Sequence, residues 1–147
     1  MKILLVDEDV SVREALGQAL AFDEFQVVPV ANRQQALDEF QCHHIDLLLL
    51  DLNPASEDAW ETIACFTALR PSLPVIALTA RPEQHEQVST RQVRVLPKPL
   101  DLPFLVRTLK DLGPTHNSTI RSLSPVAGSL SLLNSPTQNA VPVSFHQ

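Results

Sequence analysis

A chain of 147 residues, 44% of them hydrophobic, has room for one domain with a substantial core and an appendage, and a second folded domain is not expected. Seventeen acidic against eleven basic residues give a net charge of −6, and no Lys/Arg cluster offers an electrostatic footprint for nucleic acid, so direct DNA binding by this chain is not expected. No apolar run approaches the roughly 20 residues of a membrane span, and Met1-Lys2 leads into a strand with no leader pattern, which points to a cytoplasmic chain without membrane contact.

The first predicted element is an apolar strand, Ile3-Leu4-Leu5-Val6. Val12, Ala15, Leu16, Ala19 and Leu20 then follow helical spacing and predict a helix from Val10 to Phe22 with that face on the sheet. A second strand is predicted at Gln26–Val30. Asn32 with Gln35 three residues later resembles a capping box and opens a helix whose inner face is Ala36, Leu37 and Phe40. Leu47 to Leu50 make a third strand, and a helix near Asp58–Leu69 ends before Pro71. A fourth strand covers Val75 to Leu78. Glu83 to Arg91 stands where a further helix is due, but its only large apolar residue is Val88, so a shortened or irregular helix is expected. Val93 to Leu96 supply the fifth strand. Asp101 is the expected N-cap of a last helix with Leu102, Leu105, Val106 and Leu109 on one side.

Beyond Leu112 the composition changes. Residues 113–147 hold no acidic residue, one basic residue (Arg121), four prolines and seven serines, so the domain is placed at 1–112 and the rest is expected to be a disordered Ser/Pro-rich tail. Leu130, Leu132 and Leu133 are its one apolar patch suited to docking. Cys42 and Cys65 fall in helical segments and read as reduced thiols.

Short apolar strands separated by helices predict an α/β fold with a doubly wound, five-stranded parallel sheet buried on both faces. Such sheets bind ligands outside their strand carboxyl ends. At those ends stand Asp7 and Glu8, Asp51, Thr79 and Lys98. Carboxylates crowded there repel by about 4 kcal/mol per pair at about 4 Å and an effective dielectric near 20, which makes a divalent cation the natural resident. Thr79 and Lys98 add a hydroxyl and an ammonium suited to a phosphoryl group. Asp9 is expected to serve the start of the first helix rather than the metal.

The stretches ILLVDED at 3–9, DLLLLDLN at 46–53, PVIALTA at 74–80 and VLPKP at 95–99, in that order, resemble the receiver domain of two-component response regulators over residues 1–112. The resemblance implies a flavodoxin-like three-layer sandwich in which Asp51 accepts a phosphoryl group from a histidine kinase or phosphotransfer protein. It implies Mg2+ (or Mn2+) held by Asp7, Glu8, Asp51 and the Asn53 main-chain carbonyl, with Glu8 binding directly and Asp7 through water. Thr79 would take the switch hydroxyl's place, Lys98 would pair with Asp51 and then with the phosphate, and Pro99 would follow a cis peptide bond. The resulting expectation is a single-domain response regulator. It is a phosphoacceptor, not an enzyme beyond self-phosphorylation and self-dephosphorylation, and it signals through phosphorylation-dependent binding to a separate downstream protein.

This chain departs from the family pattern in several places. Val95 stands where the family commonly has a switch aromatic, and Arg94 where some members have an acidic residue for dimer ion pairs. The turn after Asp51 reads Asn53-Pro54-Ala55 with Ala59 in a glycine position, which puts the local loop geometry in question if positive φ is needed there. The turn with Gly and Ala that usually precedes the fifth strand is missing. A pseudo-receiver docking module is therefore a second reading, and a haloacid-dehalogenase-type phosphatase a third. Against the phosphatase, position 53 is Asn rather than a second Asp, and the acidic pair precedes the lysine. A flavin-binding relative is disfavoured by an acidic first loop that repels bare phosphate. Cys42-His43-His44 lacks the spacing of a zinc site, and Trp60 and Phe66 are expected to pack rather than hold a cofactor.

Overall fold

The computed structural model describes residues 1–52, 58–84, 90 and 92–113. The elements run β1 (Lys2–Val6), α1 (Val10–Phe22), β2 (Gln26–Val30), α2 (Arg33–Cys42), β3 (Leu47–Leu52), α3 (Asp58–Leu69), β4 (Val75–Thr79), a 3₁₀ turn (Pro82–Gln84), β5 (Val93–Pro97) and α4 (Leu102–Leu112). One compact unit spans Met1–Pro114; the expected tail, with Leu130, Leu132 and Leu133, lies outside the described residues. So do 85–89 and 91, which leaves the 3₁₀ turn as the described part of the irregular segment expected before β5.

The five strands form one sheet in the order β2-β1-β3-β4-β5, every neighbouring pair parallel. Period-two alternation sends side chains to two separate layers. Leu4, Val6, Leu48, Leu50, Val75 and Ala77 face one, where Ala36 of α2 and Ile63 and Phe66 of α3 cover them. Ile3, Leu5, Leu47, Leu49, Ile76 and Leu78 face the other, covered by Leu16 and Leu20 of α1 and Leu105 and Leu109 of α4. Both faces being buried accounts for unbroken apolar strands such as Leu47 to Leu50, and the result is the three-layer α/β sandwich expected from them. Pro29 interrupts only β2, an edge strand, where a missing N–H is tolerated.

Helix starts follow their capping chemistry. Asp9, Asn32 and Asp101 accept main-chain N–H groups from Val12, Gln35 and Phe104 at 3.1, 3.0 and 3.0 Å. The Gln35 amide oxygen reaches back to the Ala31 N–H at 2.9 Å, one residue earlier than an ideal capping box. The predicted inner face of α1 is narrower than its spacing implied. Leu16 and Leu20 are buried, but Val12 and Ala15 are exposed; Val12, in the first turn of α1, borders the cleft at the strand ends rather than the core. Ala59 is the second residue of α3, so no left-handed backbone is needed there and its replacement of glycine costs nothing in φ. Asn53, Pro54 and Ala55 lie outside the described residues.

Phe66 anchors the layer under α2 and α3: fully buried, it meets Phe40 edge-on at 5.1 Å between centroids, and the Arg70 guanidinium caps Phe40 at 5.2 Å while donating to the Ile45 carbonyl. The turn after α1 places Glu24 at φ 67, the one positive φ among the described residues. Two stability changes follow, both readable by denaturant or thermal unfolding. Phe66→Ala should cost about 3–5 kcal/mol through the cavity it leaves. Glu24→Gly should raise the melting temperature by a few degrees, because glycine takes the left-handed region freely.

Candidate functional site

Parallel strand direction carries the end of every strand to one edge, and the register aligns them there. Asp51 pairs with Leu78 and Leu52 with Thr79 across β3 and β4, and Thr79 pairs with Pro97 across β4 and β5. β1 ends one residue before Asp7. Asp7, Glu8, Asp51 and Lys98 line a cleft of roughly 440 Å³, together with Asp9, Val12, Leu52 and Ala80. The four charged positions expected at the strand ends are therefore brought together. Val12 and Ala80 had no assigned place in the site: Val12 was counted with the apolar stripe of α1, although its position in the first turn above a strand end is the signal that would have placed it.

Asp51 sits near the end of the central strand with its side chain 16% exposed, and its Oδ1 forms an ion pair with the Lys98 ammonium. That oxygen is fully buried and no further donor reaches it among the described residues. Lys98 is tied to the neighbouring strand as well, its main-chain N–H donating to the Thr79 carbonyl at 2.8 Å, and the Lys98–Pro99 peptide bond is cis.

Asp7 is only 4% exposed. Its N–H donates to the Val30 carbonyl at 3.1 Å, and its Oδ1 accepts the Asp9 N–H at 2.9 Å. Burial raises its pKa above the usual carboxylate value; the Asp9 N–H opposes this, the Asp51 charge adds to it, and Lys98 offsets part. Glu8 is exposed on the cleft wall, and Asp9 is the N-cap of α1, as expected.

Thr79 is 2% exposed. Its Oγ1 accepts the Arg81 N–H at 3.1 Å. With that lone pair engaged, its own proton is left to be given to an incoming acceptor. Val95, in the family's aromatic position, is partly buried against the α2/α3 layer, and Arg94 is exposed. Outside the cleft, His43 Nε2 lies 3.0 Å from a Glu39 carboxylate oxygen and His44 Nε2 3.4 Å from one of Asp46, so both imidazoles of the Cys42-His43-His44 run face surface carboxylates, with Cys42 a free exposed thiol.

The donor set suits a hard divalent cation. Among the described residues no three carboxylate, imidazole or thiol groups converge closely enough to cage an ion by themselves. The expected Asp7, Glu8 and Asp51 set is therefore not a closed three-carboxylate cage, and further oxygen ligands would have to complete a cation's shell. The buried, underused Asp51 oxygen and the proton-favouring surroundings of Asp7 are what such a cation would relieve. Asn53, the expected carbonyl donor, lies outside the described residues.

A family model for the response regulator receiver domain matches residues 3–110. Response regulator MprA of Mycobacterium avium is 32% identical over 115 residues, covering 76% of this chain and 50% of that protein; MprA of Mycobacterium tuberculosis is 31% identical over the same shares. The chain thus spans about half the length of these curated relatives. Among solved structures, response regulator TrrA from Thermotoga maritima in complex with Mg2+-BeF superposes with a TM-score of 0.67 at 23% identity, covering 76% of this chain and 97% of that one. Chemotaxis protein CheY4 of Vibrio cholerae gives 0.65 at 22%, covering 76% and 97%. At these identities the likeness establishes the fold.

Because the folded state binds the Asp7 proton more tightly than the unfolded chain does, Asp7 adds metal-free stability below the ordinary carboxylate pKa and loses it as pH rises through its raised folded value. Asp7→Asn, which keeps the Oδ1 acceptor without the charge, should raise the metal-free melting temperature at neutral pH by a few degrees. The gain should shrink as the solution is acidified toward the ordinary carboxylate range. Mg2+ affinity should drop roughly tenfold or more. Calorimetric melting across pH with a Mg2+ titration checks all three; a clear loss of metal-free stability would mean that Asp7 is chiefly a structural hydrogen-bond acceptor.

Proposed function

Because the chain belongs to the response regulator receiver family, the phosphoacceptor module of two-component signalling, we propose that Asp51 accepts the phosphoryl group, with Asp7, Glu8 and Asp51 holding Mg2+ (or Mn2+) and Thr79 and Lys98 meeting the phosphoryl oxygens. The observation that carries this is the Asp51 carboxylate, partly buried at the end of the central strand with its Oδ1 in contact with the Lys98 ammonium, beside Asp7 in one cleft. A carboxylate is a competent nucleophile toward phosphorus once the transferring group's charge is offset. One Asp51 oxygen forms the new O–P bond as the donor's P–N bond breaks; the electron pair goes to the imidazole nitrogen, and the ring, already protonated on its other nitrogen, leaves neutral. The cation supplies electrostatic stabilisation of the phosphoryl oxygens when bound.

Lys98 begins paired with Asp51 and can follow the negative charge onto the phosphoryl group without leaving the cleft. Thr79, its Oγ1 already accepting from Arg81, has a hydroxyl proton to donate to a phosphoryl oxygen. Drawing that hydroxyl inward would move the 79–84 segment, since Thr79 and Arg81 are linked. Val95 has no ring to swing, so output is assigned to this segment and to the face it shares with β5 and α4. The partners are a histidine kinase or phosphotransfer protein upstream and a separate protein downstream, and the acidic composition of this chain argues against direct DNA contact. The family match displaces the phosphatase alternative, and the complete Asp, Thr and Lys set weighs against a pseudo-receiver.

Acetyl phosphate with Mg2+ should add one phosphate by intact mass, and Asp51→Asn should add none; equal labelling of that variant would move the acceptor elsewhere, and an unlabelled wild type would favour the pseudo-receiver. With beryllofluoride, hydrogen exchange should change in residues 79–84 and little in α1 and α2. Thr79→Val should accept phosphate but lose that response, and Thr79→Ser should keep it.

A further inference from the structure

We infer that Arg13 is a positioning residue for the acidic pair, setting how tightly Asp7 and Glu8 hold a divalent cation by pinning the peptide that joins them. The inference rests on the cation-binding cleft proposed above. Arg13 Nη1 donates to the Asp7 main-chain carbonyl at 2.7 Å, six residues back along the chain. That carbonyl belongs to the peptide unit linking Asp7 to Glu8. Because the unit is planar, holding its oxygen also fixes the N–H and Cα of Glu8. The Glu8 side chain is exposed, so its reach into the cleft is set by where its Cα is held.

The same arginine grips the loop from its other side, its main-chain N–H donating to the Asp9 carbonyl at 2.9 Å. Asp7 is thereby held at its N–H by Val30, at its carbonyl by Arg13 and at its carboxylate by the Asp9 N–H. Among the described residues, only its second carboxylate oxygen has no such constraint. Arg13 stands in the first turn of α1, one turn after the Asp9 N-cap, which places its guanidinium beside the β1–α1 loop.

The guanidinium charge makes the sign of the effect diagnostic. If Arg13 acted only through its charge, it would repel a cation, and removing it would tighten binding; if it acts by holding the peptide, removing it loosens binding. Isothermal calorimetry of Mg2+ into metal-free wild type, Arg13→Ala, Arg13→Gln and Arg13→Lys, with the melting temperature of each metal-free chain, separates these cases. Arg13→Ala should weaken Mg2+ binding roughly tenfold. Arg13→Lys should recover most of the loss, since the structure uses one donor and an ammonium supplies one. Arg13→Gln, a milder change should the alanine variant not fold, should bind more weakly than Arg13→Lys. Unchanged or tighter Mg2+ binding by Arg13→Ala or Arg13→Gln, even with a lowered melting temperature, would overturn the positioning role and leave the cleft proposal standing; a wild-type chain that binds no Mg2+ would overturn both.

Discussion

The ion pair between Asp51 and Lys98 is the interaction on which the site depends, because it joins the central strand of the sheet to its edge. β3 carries the carboxylate, β5 leads into the lysine, and β4 between them supplies the Thr79 carbonyl that holds the Lys98 main chain. Three strands are thus tied at the end where chemistry occurs. With Asp7 buried beside them, the edge carries more negative charge than one ammonium can offset, and the cleft is built to take up positive charge. If that cleft holds a cation as proposed, metal-free stability and cation affinity are opposed there: what costs the empty fold is what would make the bound state favourable.

The β1–α1 loop shows how that opposition is kept from collapsing the site. A loop left to itself would turn the Asp7 carboxylate toward water. Instead Val30, Asp9 and Arg13 engage three of its polar groups, and Asp9 caps α1 at the same time. The acid is held in place by hydrogen bonds to main-chain groups that folding must satisfy in any case. Part of the electrostatic cost is thereby spread over the start of a helix whose other turns pack Leu16 and Leu20 on the sheet.

On the reading proposed above, signal output would differ from the pattern in which a ring moves between buried and exposed positions. Val95 packs against the α2/α3 layer and has a stiff β-branched side chain, so it transmits little rotation. That reading places the response in the Thr79 hydroxyl and the short turn after it, where the 3₁₀ segment Pro82–Gln84 buries no side chain. Few buried contacts hold that segment, which is the condition for a small inward pull to be expressed as a change in surface.

The bounds of α1, β2 and α3, the caps at Asp9, Asn32 and Asp101, and the buried parallel sheet were all legible in the sequence, because each rests on local chemistry: side-chain period, a capping oxygen, a proline after a helix. That Asp7, Asp51, Thr79 and Lys98 lie at one sheet edge was legible for the same reason, since strand direction alone carries them there. Tertiary structure decided what depends on neighbours distant in sequence. It removed Val12 from the core face of α1 by setting the helix start above the strand ends, left Ala15 exposed, and made the Ala59 position, whose need for positive φ was in question, ordinary helix. It buried Asp7 while leaving Glu8 exposed, a division that identical side-chain chemistry cannot announce because desolvation is a property of surroundings. It also aimed the Arg13 guanidinium at the Asp7 carbonyl, a contact between a side chain and a main-chain oxygen that leaves no mark in residue type or spacing.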